Sequence, residues 1–234
     1  MSNARRPVTT PPRPSGPATR RAAAASARRR TPLLVGAVLV VIVAAVVIAV
    51  AVSGGGGGKS SVNQTAAVTA TGATLPQLPQ NASALVDPAT DPAVGKPAPA
   101  LAGTDFAGNA VSVPAAGKPT VVLFVAHWCP HCQKEVPLVQ QWRNAGNGAG
   151  VEWRTVSTAV NANNGNYPPS SWLEAQKWQA PVLRDNADQS AGKAYGLTSF
   201  PYFVVVGADG TVKARATGEL TTDQLATLVA RATA

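Results

Sequence analysis

The chain contains two cysteines, Cys129 and Cys132, in the run Trp128-Cys129-Pro130-His131-Cys132. Two thiols at that spacing can close into a disulfide and reopen. They follow a continuous apolar run at 120–126 and open a helical pattern through residue 144, with Val136, Val139 and Trp142 at helical spacing. Unpaired N–H groups at a helix N-terminus stabilise an anion, so Cys129 is read as a thiolate at lower pH than a free cysteine. Cys132, one turn along, can resolve a mixed disulfide formed on Cys129. Pro130 suits the first turn, where its missing N–H costs nothing. His131 can add positive charge or a hydrogen bond near Cys129. Either favours the dithiol form and makes the disulfide a stronger oxidant.

Other uses of the pair are weaker. A bridge over two intervening residues removes little loop entropy, so it would staple almost nothing. A zinc site needs four ligands, and no second pair of cysteines exists. His127, Cys129, His131 and Cys132 form a cluster of soft thiolate and imidazole donors that suits Cu(I), which keeps a copper-binding chaperone as an alternative. His127 on its own reads as a solvent-facing residue near the site. Thiol exchange itself needs no cofactor.

The elements that must position the pair are set by periodicity. The run TVVLFVA is rich in β-branched residues, as a buried strand should be. Residues 111–113, 151–157 and 202–206 are further strands. Ala208-Asp209-Gly210 is a hairpin turn leading to a return strand at 211–217. Residues 170–179, with Trp172, Ala175 and Trp178 on one face, and 188–195 are short helices. Residues 221–231 form a last helix, capped by Thr221 or Thr222, with Leu225, Leu228 and Val229 inward. This order predicts an α/β domain, a mixed central sheet with helices on both faces.

Charge places that domain in a longer organisation. The net charge of +9 is uneven: residues 1–31 hold eight arginines and no acid, and Lys59 adds one more, whereas 60–234 has eleven bases and eleven acids. The arm at 1–31 is rich in Pro, Ala, Ser and Thr and reads as disordered. It has no aromatic residue for base stacking, which argues against a nucleic-acid partner. Residues 33–52 contain only Leu, Val, Gly, Ala and Ile. Twenty helical residues span roughly 30 Å, enough to cross a bilayer. The arginines before the run keep the N-terminus cytoplasmic and place the chain after Val52 outside. A cleaved signal peptide is the rival reading, although its apolar region would be unusually long. Residues 53–94, starting with five glycines, show no period and read as a flexible linker with a reach of roughly 35 Å. The domain is expected at 95–234, which holds every Trp, Tyr and Phe. About 140 residues can bury about two-thirds of their unfolded surface without a staple.

These features together resemble the thioredoxin fold, and within it the membrane-anchored TlpA/ResA-like branch of the redoxins. The likeness covers about 94–234 and rests on an ordered series. Val94-Gly95-Lys96-Pro97-Ala98-Pro99 is similar to the entry segment, and Phe106-Ala107-Gly108-Asn109 to the hairpin turn. Gly117 to Phe124 leads into the Cys129–Cys132 motif and Gln133-Lys134-Glu135-Val136-Pro137. Pro181 to Asp185, Ala194 to Thr198 and Phe200-Pro201 resemble the second half. The resemblance implies that Cys129 is the attacking thiol and Cys132 the resolving one. It also implies that Pro201 is a cis-proline facing the disulfide, with Phe200, Trp128 and Pro130 shaping substrate contact. Pro137 would kink the first helix, and Glu135 matches the family's acid near the site; its other reading is an exposed helix residue.

Two departures matter. Leu123 stands where thioredoxin has a buried Asp and related proteins often have Asn, and Val125 where an aromatic usually follows Phe124, so proton transfer at Cys132 must use Glu135, a histidine or water. The Pro-His dipeptide is that of DsbA-type oxidases rather than of this branch. It argues for an oxidant, and the family backbone for a reductant of exported thiols, as in cytochrome c maturation. The reading favours an extracytoplasmic thiol–disulfide oxidoreductase leaning to oxidase. Its expected partners are exported protein thiols and disulfides, the membrane through residues 33–52, and a membrane redox partner that recycles the pair. A peroxidase is disfavoured, since Ala126 stands where its Thr-x-x-Cys pattern needs Thr.

Overall fold

The computed structural model describes residues 63–78 and 84–233. The arm at 1–31, the apolar run at 33–52 and the glycines at 54–58 lie outside the described residues. Among the described residues no helix is long and apolar enough to cross a membrane.

Among the described residues eight strands and four helices succeed one another: β1 (Thr69–Thr71), β2 (Ala100–Thr104), β3 (Ala110–Val113), β4 (Thr120–Val125), α1 (Pro130–Asn144), β5 (Glu152–Ser157), α2 (Pro169–Ala175), β6 (Val182–Arg184), α3 (Ser190–Ala194), β7 (Tyr202–Val206), β8 (Val212–Thr217) and α4 (Thr222–Ala230). The main sheet has the order β6-β5-β4-β7-β8. The β5 and β6 neighbours run parallel, and β7 and β8 antiparallel, so the sheet is mixed as expected. Strand β4 is central, and all six of its residues are buried. Its alternate side chains enter two cores. Val121, Leu123 and Val125 pack with Val136 and Val139 of α1, Leu173 of α2 and Leu225 and Leu228 of α4. Val122 and Phe124 pack with Ala191 and Ala194 of α3 and with Leu101, Val111 and Val113. The last three belong to a small antiparallel sheet, β1-β2-β3. The continuous apolar run of β4 is what a strand buried on both faces requires. Its carboxyl end carries the cysteines.

Strands β1, β2 and β6 were not expected. They are three to five residues long, and β1 is fully exposed, so they carry little apolar periodicity to read. Helix α2 is shorter than the periodicity predicts. Lys177 takes a positive φ of 53°, and Trp178 packs beyond the helix end.

The predicted flexible linker at 53–94 is corrected over its described part. Leu75, Leu78, Val86, Asp91 and Ala93 are buried. Gly95 and Ala98 donate to Val212 and Gly210, Val212 donates back to Lys96, and Val86 and Thr217 bond Arg215 and Ala84 across the same edge. Residues 84–98 therefore cover the outer edge of β8, which would otherwise expose unpaired backbone groups. The segment is pinned by an ion pair. Arg215 and Asp91 are both buried, and the guanidinium donates to both carboxylate oxygens, to the Pro76 carbonyl (2.6 Å) and to the Tyr202 hydroxyl (3.0 Å). At Gly196 (φ 68°) a Cβ would lie 2.6 Å from the Pro76 carbonyl oxygen, so a glycine there lets the segment close on the domain. Such packing uses backbone bonds and one charge pair, which leave no periodic trace in the sequence.

Candidate active site

Helix α1 begins directly after β4. Cys129 is its N-cap residue, Pro130 occupies the first turn, and Pro137 lies inside the helix. Cys132 is fully buried and Cys129 is 6% exposed; both are free thiols. The Cys129 pKa is pulled down to about 6. The main cause is a hydrogen bond from the Cys132 thiol. The N–H groups of Cys132 and His131 and the charge of His131 add to it, against the opposing effect of burial. The two N–H groups are the helix-terminus contribution expected from the motif, and the Cys132 thiol adds a larger one. Burial, the Cys129 sulfur and the Glu135 charge push Cys132 far upward. One sulfur is thus a thiolate near neutrality while its neighbour holds its proton.

The Phe200–Pro201 bond is cis, and the Cys129 thiol donates weakly to the Phe200 carbonyl at 3.9 Å. The Trp128 and Phe200 rings meet edge to face, with centroids 5.9 Å apart. The expected Cys129, Cys132, Trp128, Phe200 and Pro201 therefore come together at one end of the sheet.

Glu135 is not an exposed helix residue. It is 1% exposed, one carboxylate oxygen accepts from the Leu220 N–H at 3.1 Å, and the other is buried without a partner. Burial raises its pKa to about 7, opposed by the Leu220 N–H and assisted by the nearby charge of Glu219. An acid poised near neutrality close to a buried thiol can take or give the proton that Cys132 must move. Leu123 fills the position that lacks the buried Asp and is fully enclosed.

The two histidines part company. His131 is exposed, and its Nδ1 lies 2.6 Å from Glu219 Oε1, which also accepts from Lys134 Nζ at 3.1 Å. His127 is only 1% exposed, a correction to its solvent-facing reading. Its Nδ1 bonds the Gly165 carbonyl (2.8 Å), and its Nε2 accepts from the Asn161 N–H (3.2 Å). Those partners fix the neutral tautomer, and burial lowers its pKa. With both ring nitrogens engaged, His127 is not free to join the two thiols around copper. Among the described residues no three His, Cys, Asp or Glu side chains gather as a metal site.

Two open grooves flank the thiols. One, of about 500 Å³, is lined by His131, Phe200, Thr217, Gly218 and Glu219 among others. The second, of about 400 Å³, is lined by Trp128, Asn161, Asn164 and Gln189 among others. Periodicity and motif spacing gave no hint of Glu219 or of the 159–167 loop, because both lie in irregular segments far along the chain from the cysteines.

The sequence model of the Redoxin family matches residues 93–230. Sporulation thiol-disulfide oxidoreductase A of Bacillus subtilis is 29% identical over 118 residues, covering 50% of this chain and 70% of that protein. Thiol-disulfide oxidoreductase ResA of Bacillus thuringiensis is 27% identical over 133 residues, covering 56% of this chain and 74% of that protein. A solved chain from Chlorobium tepidum, described as a putative thiol:disulfide interchange protein DsbE, superposes with a TM-score of 0.51 at 19% identity. It covers 59% of this chain and 96% of that one, a likeness of fold alone.

Proposed function

The chain belongs to the redoxin family and is a thiol–disulfide oxidoreductase; from that premise we propose that it is membrane-anchored and exchanges the Cys129–Cys132 disulfide with exported proteins, chiefly as an oxidant. The observation that carries this reading is the asymmetry of the pair, with Cys129 acidified to about 6 and Cys132 pushed upward. A stabilised Cys129 thiolate lowers the free energy of the dithiol form and so makes the disulfide a stronger oxidant.

In the oxidising direction a substrate thiolate attacks Cys129 Sγ. The Cys129–Cys132 bond breaks, a mixed disulfide forms, and the Cys132 thiolate takes a proton from Glu135. A second substrate thiolate then attacks the substrate sulfur of the mixed disulfide and expels the Cys129 thiolate. The substrate is oxidised by two electrons, and the pair is reduced by two. The Phe200 carbonyl and the Trp128 and Phe200 rings border the attack on Cys129. A membrane redox partner reoxidises the dithiol.

The export reading rests on residues 33–52 and the arginines before them, whose asymmetry orients a span with the N-terminus inside. The reverse direction, a reductant serving exported thiols as in cytochrome c maturation, is favoured by one observation. Glu135 keeps a buried, unpartnered oxygen that can remove the Cys132 proton when Cys132 resolves a mixed disulfide. Trapping tests the shared mechanism: Cys132→Ser accumulates mixed disulfides with exported proteins, and Cys129→Ser forms none. Full turnover by Cys132→Ser contradicts it.

A further inference from the structure

The residues just before Cys129 grip a loop that lies well outside the motif. The His127 ring bonds the loop at Asn161 N–H and Gly165 carbonyl, and Trp128 Nε1 donates to the Ala159 carbonyl at 2.7 Å. The Tyr167 and His127 rings meet edge to face, with centroids 5.9 Å apart. Four contacts from two adjacent residues therefore fix residues 159–167 relative to the sulfur of Cys129. Nothing in the exchange chemistry uses His127, yet it is the buried histidine of the pair and its imidazole is spent on holding this loop.

The loop forms one wall of the smaller groove. That groove offers Asn161, Asn164 and Gln189 and carries no formal charge among its lining residues. Carboxamides present both donors and acceptors, which is the chemistry that pairs with the backbone of an extended polypeptide. Tyr167, at the far end of the same loop, is 47% exposed, and it is the large exposed apolar residue among those described. An exposed aromatic with a hydroxyl tip is suited to polypeptide contact. Trp128 lines this groove and Phe200 the other, and the two rings touch. A chain bound in the small groove is thereby led over the Trp128–Phe200 pair toward Cys129.

We propose that the 159–167 loop is a polypeptide-binding wall of the active site, that Tyr167 and Asn164 contact the chain flanking the substrate cysteine, and that His127 is the positioning residue that keeps this wall in register with Cys129. The proposal rests on the thiol-exchange reading above and adds where the substrate backbone lies. Its occupant is an extended, uncharged stretch of polypeptide rather than a small thiol.

The test uses the full chain, oxidised, with two probes: a ten-residue uncharged peptide carrying two cysteines, and dithiothreitol. In each reaction the probe loses two electrons and its thiol protons and closes a disulfide, while Cys129–Cys132 becomes the dithiol. Tyr167→Ala lowers kcat/KM for the peptide about tenfold more than for dithiothreitol, a loss on the scale of one interface aromatic and expressed mainly in KM. Asn164→Ala shifts the same ratio in the same direction, and its exposed position makes misfolding a poor explanation. His127→Gln, which can keep a bond to Gly165 or Asn161 but not both, lowers the peptide ratio and leaves the reduction potential in place. Equal losses on both probes, or no change in the ratio for Tyr167→Ala and Asn164→Ala, overturn the wall. Failure of the unaltered protein to react with either probe overturns the exchange reading itself.

Discussion

His131 Nδ1 and Glu219 Oε1 lie 2.6 Å apart, joining the active-site dipeptide to the turn after β8. The next residue along that turn, Leu220, donates its N–H to Glu135. One short segment therefore touches both the exposed histidine beside Cys129 and the buried acid beside Cys132. Glu219 and Leu220 thus hold the two side chains, His131 and Glu135, whose charges act on Cys129 and Cys132.

The His131 contribution can be divided. His131→Pro removes both the imidazole and the N–H that faces the Cys129 sulfur. It raises the Cys129 pKa from about 6 to roughly 7.5, the upper end for activated thiols. His131→Ala keeps the N–H and produces a smaller rise. Thiolate absorbance against pH measures both. An equal rise in the two variants contradicts a role for the backbone donor.

Glu135→Gln keeps an acceptor for Leu220 but cannot take a proton. Release of substrate from a mixed disulfide through Cys132 slows about a hundredfold, the lower range for loss of a general base. The limb of the rate profile set by a group titrating near about 7 disappears with it. Rapid-quench detection of the mixed disulfide checks this, and an unchanged lifetime sinks the proton-transfer role.

Redox state couples stability to pH. In the folded dithiol protein Cys129 titrates near about 6, against a reference value of 9.0. The unfolded chain therefore binds more protons between those values, and stability of the dithiol form rises with pH across that window. It is fully present above 9 and is lost as pH falls through about 6. Glu135, raised to about 7 from 4.5, acts oppositely: its contribution is present below 4.5 and is lost as pH rises through about 7. The disulfide form lacks the Cys129 titration. The Tm of the dithiol form minus that of the disulfide form should thus increase from about pH 6 to about pH 9. A flat difference contradicts the acidified thiol.

Asp91→Ala leaves the Arg215 guanidinium buried without its counter-charge and costs about 3–5 kcal/mol. Replacing both partners with apolar residues of similar volume recovers most of that loss. Urea unfolding separates the cases. A loss under about 1 kcal/mol for Asp91→Ala would mean that the 84–98 segment lies loosely on the domain.

The sequence is most legible where local chemistry and periodicity coincide. Strand β4, helix α1 and the Cys129–Cys132 motif are read from an apolar run that meets a helix start. The mixed sheet is read from the order of elements. Legibility fails where packing is irregular or long-range. Asp91 and Arg215 are 124 residues apart, and neither belongs to an apolar pattern. His127 looks like a polar residue beside an exposed motif, and only the loop folded over it accounts for its burial. Glu219 sits 88 residues from His131, with no spacing to announce the pair. Glu135 could be placed near the site by resemblance, but its enclosure depends on the Leu220 segment arriving from the far end of the domain.

The central claim is that the Cys129–Cys132 disulfide is an oxidant, and its reduction potential against a glutathione buffer tests that most directly. The acidified Cys129 predicts a value above about −200 mV, well on the oxidising side of cytosolic thioredoxin. A value at or below about −270 mV, that of thioredoxin, would contradict it and leave the reductant reading in its place.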